Sequence, residues 1–229
     1  MLKFTRRAGM MLAAAQTVLI AFGVGIARAE SSVGNLAEKE NDVWGTLKGA
    51  AQIALGKSAE IFKNQKLQTG ADSAAKVRFI DDSQLSLGAN ANVTVDEYVF
   101  AGDKSRSSVM LAKGAFRFIS GQMPEKNMKL KTPTVGIGIR GTELMIDVYD
   151  DGSTELSTIE GAASVVSNVT NEVLEVVAGH SILADAKGLF IGGVRDFIHK
   201  SADKAIERGL DEIRSRSPIP LPDIPNPFR

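Results

Sequence analysis

The sequence predicts an all-β protein in which many short strands form a β-solenoid-like or sandwich arrangement, followed by a C-terminal amphipathic helix. Between about Val43 and Ala184, apolar and polar residues alternate, which is the period of a strand with one buried face. Gly, Asp or Asn interrupts this alternation every eight to twelve residues or so, a spacing typical of sandwiches and solenoids. After Gly188 the apolar residues recur at intervals of three and four, which indicates a helix.

The composition is that of a globular protein and limits the possible functions. The chain has 229 residues, of which 44% are hydrophobic and 24% are charged. A chain of this length can bury one or two cores, so a disordered, collagen-like or multi-pass membrane protein is disfavoured. The sequence contains no cysteine, which excludes disulfides, thiolate metal sites and a cysteine nucleophile.

Residues 1–29 have the pattern of a secretory signal peptide. Lys3, Arg6 and Arg7 precede an apolar stretch from Ala8 to Ile26, and Ala27-Arg28-Ala29 supplies small residues at both positions that a signal peptidase must accommodate. We therefore expect a periplasmic or secreted protein with no stable membrane span after cleavage. An uncleaved anchor is the alternative, because the apolar stretch approaches the roughly 20 residues that cross a bilayer. The arginine pair also leaves twin-arginine export open beside general secretion.

Cleavage would change the net charge of the chain. The full sequence has 27 basic and 27 acidic residues, and residues 1–29 contain four of the basic ones and no acid. The exported form would therefore carry a net charge near −4. A nucleic-acid partner is not expected, since binding to phosphates requires a basic face.

The first clear strands lie on either side of an acidic turn. Ala75–Ile80 and Gln84–Leu87 alternate apolar and polar residues and flank the turn Asp81-Asp82-Ser83, and Val93–Val95 follows with the same alternation. Each segment is expected to be a half-buried strand.

The clearest hairpin comes later in the chain. Leu144–Tyr149 and Thr154–Ile159 flank Asp150-Asp151-Gly152-Ser153, in which Gly152 can supply the positive φ of a tight turn. Three further pairs are predicted to mark corners where the chain changes sheet or rung: Lys113-Gly114, Glu160-Gly161 and Ala178-Gly179.

The predicted domain organisation follows from these patterns. Residues 1–29 form the signal peptide, residues 30–188 the β domain, residues 189–216 the amphipathic helix and residues 217–229 a proline-rich tail. The tail holds five of the chain's seven prolines and is expected to be extended or disordered. The helix is expected to cap the open end of the β domain or to dock against a second protein.

The least generic stretch of the sequence lies between Thr132 and Leu144. A threonine-proline step is followed by an apolar strand, an Arg-Gly-Thr triplet, an acidic-glycine turn and a glycine that opens another strand: Thr132-Pro133, Val135–Ile139, Arg140-Gly141-Thr142, Asp151-Gly152 and Glu160-Gly161. Related features lie on both sides: Thr69-Gly70, Ala74–Phe79, Asp82–Leu87 and Ala178-Gly179-His180. Over residues 43–185 the chain thus resembles the FecR-type periplasmic domain.

The resemblance implies an all-β extracytoplasmic domain. The best-known members of the family are transmembrane regulators of iron uptake, whose periplasmic part receives a signal from an outer-membrane receptor and whose cytoplasmic part controls a sigma factor. Residues 1–7 are all that could remain inside the cell, so the resemblance does not extend to direct anti-sigma activity. The partner it implies is an envelope or extracellular protein.

The family-motif residues are expected to be mainly structural. They are Thr132, Pro133, Arg140, Gly141, Thr142, Gly152, Gly161 and Gly179. Gly141 is expected at a tight corner, and Thr142 could hydrogen-bond the backbone across it. Arg140 could tie carbonyls or the carboxylate of Glu143 or Asp147 into the fold, or could face an acidic group of a partner.

No catalytic, cofactor-binding or metal-binding residue is predicted. The only histidines are His180, at a turn, and His199, on the polar side of the predicted helix, so a triad or metal site would require fortuitous proximity. Asp81-Asp82 and Asp150-Asp151 lack the spacing of a calcium loop and are expected to form turns. Gly136 and Gly138 lack the third glycine and the helix of a phosphate-binding loop.

The sequence therefore predicts an exported, non-enzymatic protein that binds another envelope protein through sheet edges, the terminal helix or the proline-rich tail. A structural or glycan-binding module is the alternative, in which Trp44, the single tryptophan, could stack on a sugar instead of anchoring a buried strand. A hydrolase that depends on His180 is the third and least favoured reading.

Overall fold

The computed structural model describes residues 31–196, and this part of the chain is mostly β-strand. Two short 3-10 turns, Gly102–Lys104 and Glu125–Asn127, are its only helical elements. The strands of the described range are β1 (Ser32–Glu40), β2 (Val43–Thr46), β3 (Ile53–Ala54), β4 (Glu60–Phe62), β5 (Lys66–Thr69), β6 (Ala74–Phe79), β7 (Gln84–Leu87), β8 (Asn92–Val99), β9 (Arg106–Ile119), β10 (Met128–Lys131), β11 (Val135–Val148), β12 (Thr154–Ser167), β13 (Val173–Val177), β14 (His180–Ala184) and β15 (Arg195–Asp196). The prediction of an all-β fold is confirmed.

The strands pair in two runs that share three long members. One run has the order β3-β2-β5-β8-β9-β10-β11-β12-β13, and the other has the order β4-β1-β6-β7-β9-β11-β12-β14-β15. Every pairing is antiparallel except that of β9 with β10. Side chains from both runs meet in one hydrophobic core. All of these strands belong to one large mixed sheet, and we call its two runs the two layers of the fold.

The long strands pass from one run to the other through a change in side-chain direction. In β11, Ile137 and Ile139 are buried at odd positions, whereas Leu144 and Ile146 are buried at even positions. The register slips between Arg140 and Glu143, so one extra residue reverses the alternation there. Both halves of the strand can therefore bury their apolar side chains in the same core.

Glycines occupy these points of reversal. Gly141 in β11 has φ +54°, Gly161 in β12 has φ +75° and Gly114 in β9 has φ +116°, a region that favours glycine. The corners predicted at Gly114 and Gly161 thus lie inside continuous strands, while Gly179 lies in the turn between β13 and β14. The bulges allow one strand to serve both layers without a connecting loop.

The predicted hairpin is confirmed. Its strands are the adjacent halves of β11 and β12, and Gly152 lies in the connecting turn with φ +85°. The strands predicted around the acidic turn are also present, as β6 and β7, and Val93–Val95 lies within β8.

The predicted start of the C-terminal helix is wrong. Phe190 forms a β-bridge with Ala184, and β15 pairs with β14, so residues 189–196 extend the edge of the sheet. Gly192 and Gly193 have φ values of +73° and +65°, which a right-handed helix does not accommodate. The rest of the predicted helix (197–216), the proline-rich tail (217–229) and the signal peptide (1–29) lie outside the described residues.

Candidate functional site

The threonine-proline motif lies in a cluster of buried hydroxyl groups. The Oγ1 atoms of Thr134 and Thr154 are 2.8 Å apart, and Thr154 Oγ1 donates to Thr132 Oγ1 at 2.9 Å. Pro133 packs beside Gly152, since a Cβ at that glycine would lie 3.5 Å from the proline Cβ. Three of the predicted motif residues, Thr132, Pro133 and Gly152, are therefore brought together at the hairpin turn, where they stabilise the fold.

The amide of Asn168 closes this cluster from the following loop. Its Nδ2 atom donates to the carbonyl oxygens of Thr132 and Pro133, both at 3.2 Å. Sequence reasoning missed Thr154 and Asn168 because they lie 22 and 36 residues after Thr132, and it missed Thr134 because its hydroxyl partner is Thr154. Their hydroxyl and amide groups form hydrogen bonds with other groups of the same domain.

The Arg-Gly-Thr triplet forms the bulge where β11 and β12 cross between layers. A Cβ added to Gly161 would overlap the carbonyl oxygen of Gly141, so the two backbones approach more closely than a side chain permits. Thr142 donates its backbone N–H to Ser120 Oγ at 2.9 Å and accepts from the Ser120 N–H at 3.0 Å. The expected hydrogen bond from the Thr142 hydroxyl is wrong, because its Oγ1 atom is buried and has no partner within residues 31–196.

Arg140 extends from this bulge into solvent. Its side chain is 66% exposed, and Nη1 lies 3.5 Å from Glu175 Oε1 on β13. Glu143, one of its two expected partners, instead accepts from Arg117 Nε at 2.8 Å. The side chain of Arg140 therefore lies on the surface of the sheet, where an ion pair contributes little to stability.

A buried carboxylate holds the acidic turn between β6 and β7. Asp81 is 0% exposed and accepts hydrogen bonds from Tyr98 Oη and Ser83 Oγ, each at 2.6 Å, and from the N–H groups of Ser83 and Met123, each at 3.1 Å. Burial, and then the hydrogen bond to Asp81, raises the pKa of Tyr98, so this hydroxyl remains a donor. Asp81 was expected only to form a turn, and it also links β8 and the loop after β9 to that turn.

An open cleft lies beside the hairpin turn. Its volume is about 640 Å³, and its lining includes Lys113, Asp147, Tyr149 and Asp150. Lys113 Nζ lies 2.6 Å from Asp150 Oδ1, across the mouth of the cleft. The cleft therefore contains one cation among several acidic groups.

Two carboxylates stand opposite each other next to this cleft. Asp147 on β11 pairs with Glu155 on β12, and the Glu155 Oε2 atom accepts from Tyr149 Oη at 3.0 Å. Burial, and then the negative charge of Glu155, raises the pKa of Asp147 to about 6. Burial and the same glutamate raise the pKa of Tyr149 to about 12. Within residues 31–196, no three His, Cys, Asp or Glu side chains are grouped so that they could hold a metal ion.

The remaining sequence candidates have local structural roles. His180 begins β14, and its Nδ1 atom lies 3.1 Å from the Ala178 carbonyl oxygen, while His199 lies outside the described residues. Gly136 and Gly138 lie near the start of β11 and open no helix. Trp44 is half-buried on β2, and its ring edge packs over Gly70.

The fold and the motif define an all-β domain whose glycine bulges carry long strands between two layers. Residues 65–164 match the family model described as FecR protein. The matched segment contains Thr132, Pro133, Arg140, Gly141, Thr142, Gly152 and Gly161. The predicted resemblance is confirmed.

Comparison with solved structures found two partly similar chains. Two crystal structures, at 2.50 and 1.65 Å resolution, are of a candidate anti-sigma factor from Parabacteroides distasonis ATCC 8503. Each is 15% identical to this chain with a TM-score of 0.48, and each match covers 61% of this chain and 61% of the other. No curated protein matches this chain.

Proposed function

We propose that this chain is a non-enzymatic signalling or regulatory protein of the cell envelope, and that it binds another envelope protein. The observation that carries the proposal is the match of residues 65–164 to the FecR family model. The resemblance to envelope regulators implies a protein partner, and a strand-rich domain offers backbone donors and acceptors at its edges for binding one.

The use of the polar groups in the fold supports binding over catalysis. The Thr132–Thr134–Thr154 hydroxyls bond to one another, and the buried Asp81 carboxylate accepts four hydrogen bonds from its own domain. A catalytic acid, base or nucleophile needs a free position towards a substrate. These groups stabilise the fold instead.

Export is part of the same proposal and rests on the signal-peptide pattern of residues 1–29. Residues 31–196 contain no helix of the length and apolarity needed to cross a bilayer. The test is the N-terminal sequence of the protein recovered from the periplasm or medium: Glu30 at the N-terminus is expected, and an intact Met1 in the membrane fraction would contradict it.

The binding proposal is tested by capture of envelope proteins on a chain from Glu30 to Arg229, compared with one that ends at Asp196. The shorter form retains β15, which pairs with β14. One specific envelope protein retained by the longer form supports the proposal. Retention by both forms assigns binding to the β domain, and retention by the longer form alone assigns it to residues 197–229. If neither form retains a specific protein, the proposal fails.

A second candidate, a glycan-binding module, is favoured by one row of side chains. Trp44, Gln68 and Asn92 occupy paired positions on β2, β5 and β8, and Gln52 Nε2 donates to Gln68 Oε1 at 3.1 Å. An aromatic ring beside amide groups is a surface that suits a sugar. Retention of the chain on isolated polysaccharide, lost in Trp44→Ala, would favour this function.

A further inference from the structure

The strand β13 differs from the other edges of the described sheet. Within residues 31–196 the paired runs end at β3, β4, β13 and β15. β3 and β15 have two residues each, and β4 has three. β13 has five residues, and among the described strands it pairs with β12 alone. Very short edge strands are one way in which proteins avoid unwanted pairing, and β13 lacks this protection.

The backbone of β13 offers a regular set of donors and acceptors. The Glu172 carbonyl accepts from the Ser167 N–H at 2.9 Å, and the Ala178 N–H donates to the Gly161 carbonyl at 3.0 Å, so the even-numbered residues face β12. Because the direction alternates along a strand, Val173, Glu175 and Val177 point their N–H and C=O groups away from β12.

The side chains of the same three residues lie on the outer face of the sheet. Val173 is 58% exposed and Val177 is 46% exposed, while Val176 between them is buried. Exposed valines on an edge strand present an apolar, β-forming surface. Of the features that usually protect an edge strand, β13 lacks lysine, proline and a bulge, and its one charged side chain is that of Glu175.

The surroundings of β13 are acidic in sequence. Between Gly161 and Ala186 the chain has no lysine or arginine, and its acidic residues are Glu172, Glu175 and Asp185. Arg140 reaches Glu175 from β11, at 3.5 Å and with both side chains more than half exposed. Such a pair is weak, so a partner can replace it.

We propose that β13 is a docking strand that accepts an extended segment of a protein partner, with a lysine or arginine opposite Glu175. β-branched apolar residues two positions on either side of that cation would lie opposite Val173 and Val177. The inference rests on the proposed function, since it names the surface and the chemistry of the partner. A symmetric pairing with a second copy is disfavoured because the centred register places Glu175 opposite Glu175.

The test uses the chain from Glu30 to Arg229 and a fluorescent peptide with the sequence Thr-Val-Thr-Lys-Thr-Val-Thr. We expect saturable binding by fluorescence anisotropy, weakened about tenfold by Glu175→Lys. A peptide with glutamate at its centre should show the opposite preference and bind the Glu175→Lys chain more tightly. Glu60→Lys is the matched control, because it makes the same charge change on the edge strand β4 and should leave binding unchanged.

A backbone variant provides the second measurement. Val177→Pro removes an N–H that faces away from β12, so peptide binding should be lost while the far-ultraviolet circular dichroism spectrum stays unchanged. Absence of binding by the parent chain, or binding that does not respond to Glu175→Lys, would overturn the proposal. A dimer in sedimentation velocity that Val177→Pro dissociates would also overturn it, in favour of a second copy.

The capture experiment separates this inference from the proposed function. If an envelope protein is captured equally by the parent chain and by Glu175→Lys, the function stands and the docking strand is wrong. If the peptide binds as expected but no envelope protein is captured, β13 can accept an extended segment and the proposed function is wrong.

Discussion

Tyr98 and Asp81 are joined inside the core by a hydrogen bond of 2.6 Å from Tyr98 Oη to Asp81 Oδ1. The tyrosine ring also stacks on Phe79, with ring centroids 4.3 Å apart. One side chain on β8 therefore fixes both the carboxylate of the acidic turn and the strand that leads into it. This contact connects segments that the alternation pattern treats as independent.

Asp81→Ala is expected to reduce the free energy of unfolding by about 3 kcal/mol or more, because it leaves several buried donors without an acceptor. Tyr98→Phe should reduce the free energy of unfolding by about 1.5 to 3 kcal/mol, since a hydrogen bond to a charged carboxylate is lost. Urea unfolding of both variants and of the double variant measures the coupling. The double variant should lose less free energy of unfolding than the sum of the losses in the two single variants. Additive losses would contradict a shared hydrogen-bond network.

Gly161→Ala tests the bulge where the strands change layer. The added methyl group would overlap the Gly141 carbonyl at a positive φ, so we expect a loss of several kcal/mol, measured as a fall in melting temperature. Gly138→Ala is the control on the paired strand, because the nearest atom to its new Cβ would be 3.7 Å away. Its melting temperature should change little, and equal effects at both glycines would contradict the role of the bulge.

Asp147→Asn is expected to stabilise the protein above pH 6. Burial, and then the charge of Glu155, raises the pKa of Asp147 from 3.8 to about 6 in the folded chain. The folded state therefore binds this proton more tightly than the unfolded state, and stability is lost as pH rises from about 4 to 6. Allowing for solvent screening, the gain at pH 7 should be on the order of 1 kcal/mol.

Thermal melts between pH 4 and pH 8 provide the measurement for Asp147. The difference between the parent and Asp147→Asn should shrink as the pH falls from 6 towards 4, because the folded parent then carries the proton and the unfolded parent takes it up around its pKa of 3.8. Asp150→Asn, at an exposed position, is the control for the loss of one negative charge from the protein. A stabilisation that does not depend on pH would rule out the titration of Asp147 as its cause.

Arg140→Ala should lower the free energy of unfolding by less than about 1 kcal/mol, because its ion pair with Glu175 is exposed. Arg117→Ala should cost more, since Arg117 and Glu143 are 28% and 18% exposed. Chemical unfolding of the two variants side by side makes the comparison. A larger loss in Arg140→Ala would restore the structural role that the motif suggested for this residue.

The sequence predicted the local strands well because a period of two depends only on neighbouring residues. The hairpin around Gly152 and the strands on either side of Asp81 needed no long-range information. The continuity of β9, β11 and β12 was not predicted, because a bulge reverses the alternation and looks like a strand end. The predicted helix start failed because the apolar spacing was weighted above Gly192 and Gly193.

The polar networks could not be predicted from the sequence because their members are far apart in the chain. Asp81 and Met123 are separated by 42 residues, and Thr132 and Thr154 by 22. Their residue types are common in turns, so nothing local distinguishes them. The same holds for β13, whose exposed edge depends on which strands pair and not on its own composition.

The most direct test of partner recognition by this protein is site-specific photo-crosslinking in intact cells. A photoreactive amino acid replaces Val177 on β13 in one strain and Glu60 on β4 in another. Adducts are identified by mass spectrometry. We expect one envelope protein to be crosslinked from position 177 and not from position 60. Adducts with cytoplasmic proteins alone, or none at position 177, would contradict both the location and the mode of binding.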